Sequence, residues 1–288
     1  MTIVYAIEPY IIRDFYVIGE KVLLMCLDCC YNTTMIFATI ATIGYLLSVW
    51  LIHRHSKVTF IAVLITVSVA FITHTIQAVI GLQGAMNDVS IMNMLSVVAV
   101  SMVFVGAWRY FAKADNSAYT VVALIAAVCV WFPIWFNIPL TQAQGWSLKF
   151  HIVLSIAAYI ALGFAALYAC FLLTQDMRLR NRKAVFNLNL PLNYIERTML
   201  NFTIIGEALL TLSLATGLLF IHDFWAQHIA HKVTFAVIAW LIIAVLLVRH
   251  YHQGFRGRKA ALWLLSGFVF LLLAYFGSAF VLQIILRR

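Results

Sequence analysis

Residues 150–174 read FHIVLSIAAYIALGFAALYACFLLT, twenty-five positions without one Asp, Glu, Lys or Arg. As an α-helix rising ~1.5 Å per residue, such a stretch is about 37 Å long and exceeds the ~30 Å of hydrocarbon in a bilayer. A soluble helix of this length carries a charged face, and this one has none. The solvent around it is therefore lipid. Working outward, runs of similar character recur at 35–52, 58–82, 90–111, 117–138, 199–221, 233–248 and 260–286. With 150–174 they predict eight crossings in an all-α, polytopic transmembrane helix bundle. Composition agrees: of 288 residues 65% are hydrophobic and 10% charged, where soluble domains carry roughly 25% charged residues.

One transmembrane domain is expected over 35–288. Residues 1–34 are mixed, with Glu8, Arg13, Asp14, Glu20, Lys21 and Asp28 scattered among apolar positions. They lack the layout of a signal peptide. The segment reads as an interfacial helix or as an extension upstream of a start at Met35, with a preference for the second.

The net charge of +9 does not imply nucleic acid, because the basic residues lie in short clusters between apolar runs, as orientation signals do. Loops after the odd-numbered spans hold thirteen of the nineteen Lys and Arg, among them Arg54, Lys57, Arg109, Lys113, Arg178, Arg180, Arg182, Lys183 and Arg249. The opposite side holds six. Cytoplasmic loops retain positive charge, so both termini are expected to be extracytoplasmic. Trp131, Trp135, Trp146 and Trp225 then fall near the outer ends of spans.

Five cysteines form no framework, and Cys26-x-x-Cys29 has no partner pair, so free thiols are the simpler reading. No phosphate-binding loop, nucleophile elbow or HExxH helix is present, and an enzymatic role is not expected.

The nine histidines fall into two groups under this topology. His53, His55, His250 and His252 sit at the basic edge. His74, His151, His222, His228 and His231 belong to the outer leaflet or outer loops. His74 stands inside an apolar span, on the order of 12 Å below the interface at ~1.5 Å per residue, where an ionisable group is a functional candidate or a neutral side chain bonded to a neighbouring helix. His151 opens the fifth span, and Ser155 and Tyr159 follow on its face. The alternative for His151 is an interfacial side chain solvated by headgroups. Imidazoles from two helices in one leaflet suit the two faces of a haem iron, and His74 with His151 is the candidate pair. Trp146 and Tyr159 are candidate pocket walls. His222, His228 and His231 are weaker candidate metal ligands. Glu207, in the sixth span, reads as a proton relay or as a hydrogen bond between helices.

Lys149-Phe-His151-Ile-Val-Leu-Ser155-Ile-Ala-Ala-Tyr159, with Leu167-Tyr168-Ala169 and Gln175-Asp176, is similar to the cytochrome c assembly membrane proteins. Leu190-Pro191-Leu192, Glu196-Arg197, Leu210-Thr211-Leu212, Thr216-Gly217, His231-Lys232, Ala239-Trp240, Gly254 to Lys259 and Leu273 to Ser278 extend the resemblance. It covers about 150–280 well and the earlier spans more weakly. The chain most resembles the small eight-helix YpjD-like branch, related to the larger CcsA and CcmC haem handlers. The tryptophan-rich WWD segment of those larger relatives is missing between Phe220 and Lys232. The resemblance implies a haem-binding or haem-handling protein of the bacterial cytoplasmic membrane, working beside cytochrome c maturation components, with His151 and His74 matching histidines of the family. Two other classes remain open at this stage: a transporter whose path uses Glu207 and His74, and a membrane scaffold that meets a partner through its basic loops.

Overall fold

The computed structural model describes residues 32–54, 59–83, 91–112, 115–135, 146–181, 190–220 and 230–277, and every regular element among them is helical. In chain order they are α1 (Asn32–His53), α2 (Thr59–Gln83), α3 (Ile91–Phe111), α4 (Asn116–Cys129), a short α5 (Phe132–Trp135), α6 (Trp146–Asn181), α7 (Leu192–Phe220), α8 (Ala230–Gln253) and α9 (Gly257–Leu272), which ends in a π-helical turn at Leu273–Gly277. Among the described residues eight helical stretches are long and apolar enough to cross a membrane, α4 with α5 counting as one. Residues 1–31, and the loop holding His222 and His228, lie outside the described residues.

Local chemistry explains the boundaries. Asp115 caps α4, its Oδ1 accepting from the amides of Ser117 at 2.8 Å and Ala118 at 3.2 Å. This supplies acceptors for amides that the first turn leaves bare. Pro133 has no N–H to offer Cys129, four residues back, and α4 stops at Cys129 before α5 restarts. Between α8 and α9, Gly254 and Gly257 take φ of 62° and 64°, backbone that only glycine adopts without strain. Glu196 of α7 accepts from the Gly257 amide at 3.0 Å, tying that corner to the start of α7.

Two helices run past their apolar stretches. The fifth span extends over Trp146–Leu179 and the sixth begins at Leu192, beyond the 150–174 and 199–221 expected from hydropathy. The added turns carry Lys149, Asp176, Glu196 and Arg197, which stay helical while leaving the hydrocarbon.

Lipid gives helices no hydrophobic reason to associate, so small residues that allow close approach decide the packing. The most extensive contact is between α6 and α7. There Ala158, Ala161, Ala165 and Ala169 of α6 are buried, and Gly206 of α7 sits so close to α6 that a β-carbon would lie 2.6 Å from Leu162 Cγ. Gly44 of α1 touches α2 in the same way, with Ala70 Cβ 2.8 Å from where its own would be. At the basic end Arg109 donates to Tyr168 at 3.0 Å and Tyr194 at 2.6 Å. Tyr168 in turn donates to Asp115, so that α3, α4, α6 and α7 are joined by one charged cluster.

Candidate functional site

His74 is fully buried and both ring nitrogens are occupied. Tyr45 Oη lies 3.0 Å from Nδ1 and Ser96 Oγ 2.9 Å from Nε2. Proton accounting fixes the direction. Gln77 donates through Nε2 to the Val130 carbonyl at 3.3 Å, and its Oε1 accepts from Ser96 at 3.5 Å. Tyr45 Oη has no other acceptor among the described residues, so it donates to Nδ1, and the ring proton lies on Nε2 and is donated to Ser96. One neutral tautomer satisfies the whole row and joins α1, α2, α3 and the end of α4. His74 is thereby a cross-link within the first half of the bundle.

His151 sits differently. Its Nδ1 lies 2.9 Å from the Ser213 carbonyl of α7, which can only accept, so Nδ1 carries the proton and Nε2 holds a lone pair. The nearest polar group to Nε2 is Ser155 Oγ at 3.5 Å. That hydroxyl has shorter contacts, to the His151 carbonyl at 2.8 Å and to Ser213 Oγ at 2.7 Å. The imidazole lies against Gly217, where a β-carbon would come 3.1 Å from Cε1. A neutral ring, oriented by a backbone carbonyl through one nitrogen and open at the other, is the usual disposition of a histidine that ligates a metal.

His151 is one of the residues lining a cavity of about 900 Å³. One face of α6 forms its floor from His151 to Thr174, about 35 Å at ~1.5 Å per residue, so the cavity is a long groove. Met94, Met102 and Ile125 of α3 and α4 stand on one side. Leu210, Leu214, Val237, Phe268 and Leu271 of α7, α8 and α9 stand on the other. Most of its polar side chains, His151, Ser155, Ser213, Tyr159 and Tyr275, gather toward the His151 end, and Thr174 stands at the other. Tyr159 lines the groove and donates to the Leu271 carbonyl at 3.0 Å.

The expected pairing of His74 with His151 is not the arrangement found. His74 is absent from the groove lining, because its hydrogen bonds turn it into the α1–α3 interface. Trp146 is also absent from the groove lining. It is 86% exposed, and Lys149 Nζ sits 5.4 Å from its ring centre. His222 and His228 lie outside the described residues, as does the side chain of His231. Among the described residues no three His, Cys, Asp or Glu form a cluster able to hold a metal ion. Glu207 is buried at 7% exposure, and neither carboxyl oxygen has a hydrogen-bond partner among the described residues. Sequence reasoning missed Tyr45, Ser96 and Gln77 around His74, and Ser213 and Gly217 around His151. A polar residue in an apolar span was the available signal, but which helix it faces is set by packing.

Comparison with known proteins gives this arrangement a family. The family model described as Cytochrome C assembly protein matches residues 31–286. The inner membrane protein YpjD of Escherichia coli K12 is 45% identical over 136 residues, 47% of this chain and 52% of that protein. An uncharacterized 28.8 kDa protein of Azospirillum brasilense is 30% identical over 148 residues, 50% of this chain and 55% of its own length. The cytochrome c biogenesis protein CcsA of Prochlorococcus marinus MIT 9515 is 32% identical over 111 residues, 36% of each. The chain spans about half the length of the first of these curated relatives. No solved structure matches.

Proposed function

Since the chain belongs to the cytochrome c assembly protein family of multi-pass membrane proteins, we propose that it binds haem through His151, in a non-enzymatic role in cytochrome c biogenesis in the bacterial inner membrane. The Lys and Arg distribution turns the His151 end outward under this reading. The observation that carries the proposal is His151 as a lining residue of an apolar groove, its Nδ1–H held on the Ser213 carbonyl and its Nε2 meeting only Ser155 Oγ, at 3.5 Å.

The residues present suit the group. A haem site needs an imidazole nitrogen with a free lone pair, apolar walls that shield the macrocycle, and space of the order of 300–1,000 Å³. The groove supplies about 900 Å³. When bound, haem would be held by His151 and would supply a redox-active iron. The protein's part is orientation and exclusion of water. Ser213 fixes the tautomer, Gly217 makes room for the ring, and Tyr159, held by Leu271, lines the groove one turn beyond Ser155. His74 takes no part in ligation under this reading.

The test is a reduced-minus-oxidised optical spectrum of the purified protein, expressed with haem precursor supplied. Wild type is expected to carry a haem spectrum, and His151→Ala to lose at least nine-tenths of it and regain part when imidazole is added. Wild type without haem, or a His151→Ala protein with undiminished haem, would sink the assignment.

A further inference from the structure

Glu207 is not used by the haem reading, and its surroundings are unusual. Its depth follows from α6. Gly206 lies against Leu162, which stands sixteen residues from Trp146 and seventeen from Leu179 in the fifth span. Glu207 is thus near the middle of the bilayer. It is buried, and both carboxyl oxygens lack a hydrogen-bond partner among the described residues. The hydroxyls one turn away on its own helix are engaged elsewhere: Thr203 donates to the Met199 carbonyl at 2.8 Å, and Thr211 donates to the Glu207 backbone carbonyl at 2.8 Å and accepts from Trp240 Nε1 at 2.8 Å.

No cation faces it. The nearest charges on α7 are Glu196 and Arg197, ten or more residues away, about 15 Å along the axis at ~1.5 Å per residue. On α6 the charged residues Lys149 and Asp176 each lie more than twelve residues from Leu162, and Tyr159 is the titratable side chain closest in depth. On α8 the stretch from Val233 to Val248 contains no titratable residue, and on α9 none occurs between Lys259 and Tyr275. A carboxylate in hydrocarbon without a counter-charge is costly. A metal cation would need several oxygen ligands, and here there is one carboxyl. The ligand that this group suits is a proton.

Leu210 and Leu214, three and seven residues on, line the groove. Helical spacing puts Glu207 on that flank of α7, within one turn of the groove wall. We propose that Glu207 is an intramembrane proton-exchange site, reached through the groove along α6, that holds a proton while its surroundings are dry and releases it when water or polar groups enter. The site stands independently of haem.

The test uses the full chain reconstituted in vesicles of neutral phospholipid. A lipid-soluble carbodiimide reacts with a protonated carboxyl: the acid's oxygen bonds to the central carbon, its proton moves to a nitrogen, and rearrangement leaves a stable acylurea with no other product. Mass spectrometry of the Glu207 peptide is expected to show this adduct at neutral pH, at least tenfold less at alkaline pH, and none in Glu207→Gln. Infrared spectra of wild type minus Glu207→Gln supply the second measurement. A protonated-carboxyl C=O band that shifts after exchange into D2O is expected. Labelling that is absent or indifferent to pH, no such band, or a band that fails to shift each overturns the proposal.

Discussion

Replacing His74 separates a cross-link from a ligand. In His74→Ala, two interhelical hydrogen bonds vanish, to Tyr45 and to Ser96. Such bonds in membranes are worth ~0.6 to 1.7 kcal/mol each, which sums to about 1–3 kcal/mol. The two ends do not suffer equally. Ser96 keeps an acceptor in Gln77, whereas Tyr45, fully buried, is left holding an O–H that has no acceptor but His74 among the described residues. Orphaning a buried donor costs ~1–3 kcal/mol, and the imidazole leaves a void. The upper end, about 3 kcal/mol, is therefore expected, roughly a hundredfold in the folded-to-unfolded ratio. His74→Gln keeps one donor and one acceptor and should recover about half. The assay is equilibrium unfolding by SDS titration of protein in mixed micelles, with haem content read on the folded fraction. The expected result is lowered stability with haem per folded molecule unchanged. A His74→Ala protein as stable as wild type, or one that folds fully but holds no haem, refutes the reasoning.

Three further substitutions probe the rest of the frame. Gly206→Ala brings a β-carbon to 2.6 Å from Leu162 Cγ and 3.1 Å from its backbone nitrogen; because backbone cannot step aside, a loss of about 1–3 kcal/mol is expected in the same titration. Asp115→Ala removes the α4 cap and the acceptor for Tyr168, and should cost about 2 kcal/mol or more, the cap contributing ~1; an unchanged midpoint would show that Arg109 alone holds the cluster. Gly217→Ala meets only the imidazole edge at 3.1 Å, so stability should fall by less than about 1.5 kcal/mol, while haem retention through gel filtration drops severalfold as the His151 ring is displaced.

What could be read from the sequence was what a single helix determines by itself. Eight spans follow from residues such as those between Phe150 and Thr174, since the cost of charge in lipid is a property of each residue. The limits of α6 and α7 were less legible, because Asp176 and Glu196 end the immersion of a helix without ending the helix. The distinction between His74 and His151 could not be read at all. Both are lone histidines in the same expected leaflet. One meets Tyr45 and Ser96, the other Ser213 and Gly217, and those partners are 22 to 66 residues away in the chain. Hydropathy places side chains in depth and leaves rotation about the helix axis undetermined.

Rotation is settled here by where small residues allow backbones to meet. Gly44 against Ala70 draws α1 to α2, and Gly206 against Leu162 draws α7 to α6, leaving each pair little freedom to turn. With α2 held so, His74 faces α1 and α3, and its imidazole completes a row of hydrogen bonds. With α7 held so, the Ser213 carbonyl and Gly217 present themselves to His151, and the adjoining face of α6 is left without a partner helix down its length. The groove is thus a consequence of the same contacts that orient His151. A ligand lying in it touches α3 and α4 on one wall and α7, α8 and α9 on the other, so its binding energy falls between parts of the bundle that α6 otherwise joins. Glu207 stands on the flank of that same unfilled space, where a change in what occupies the groove alters the surroundings of the most deeply placed carboxyl among the described spans.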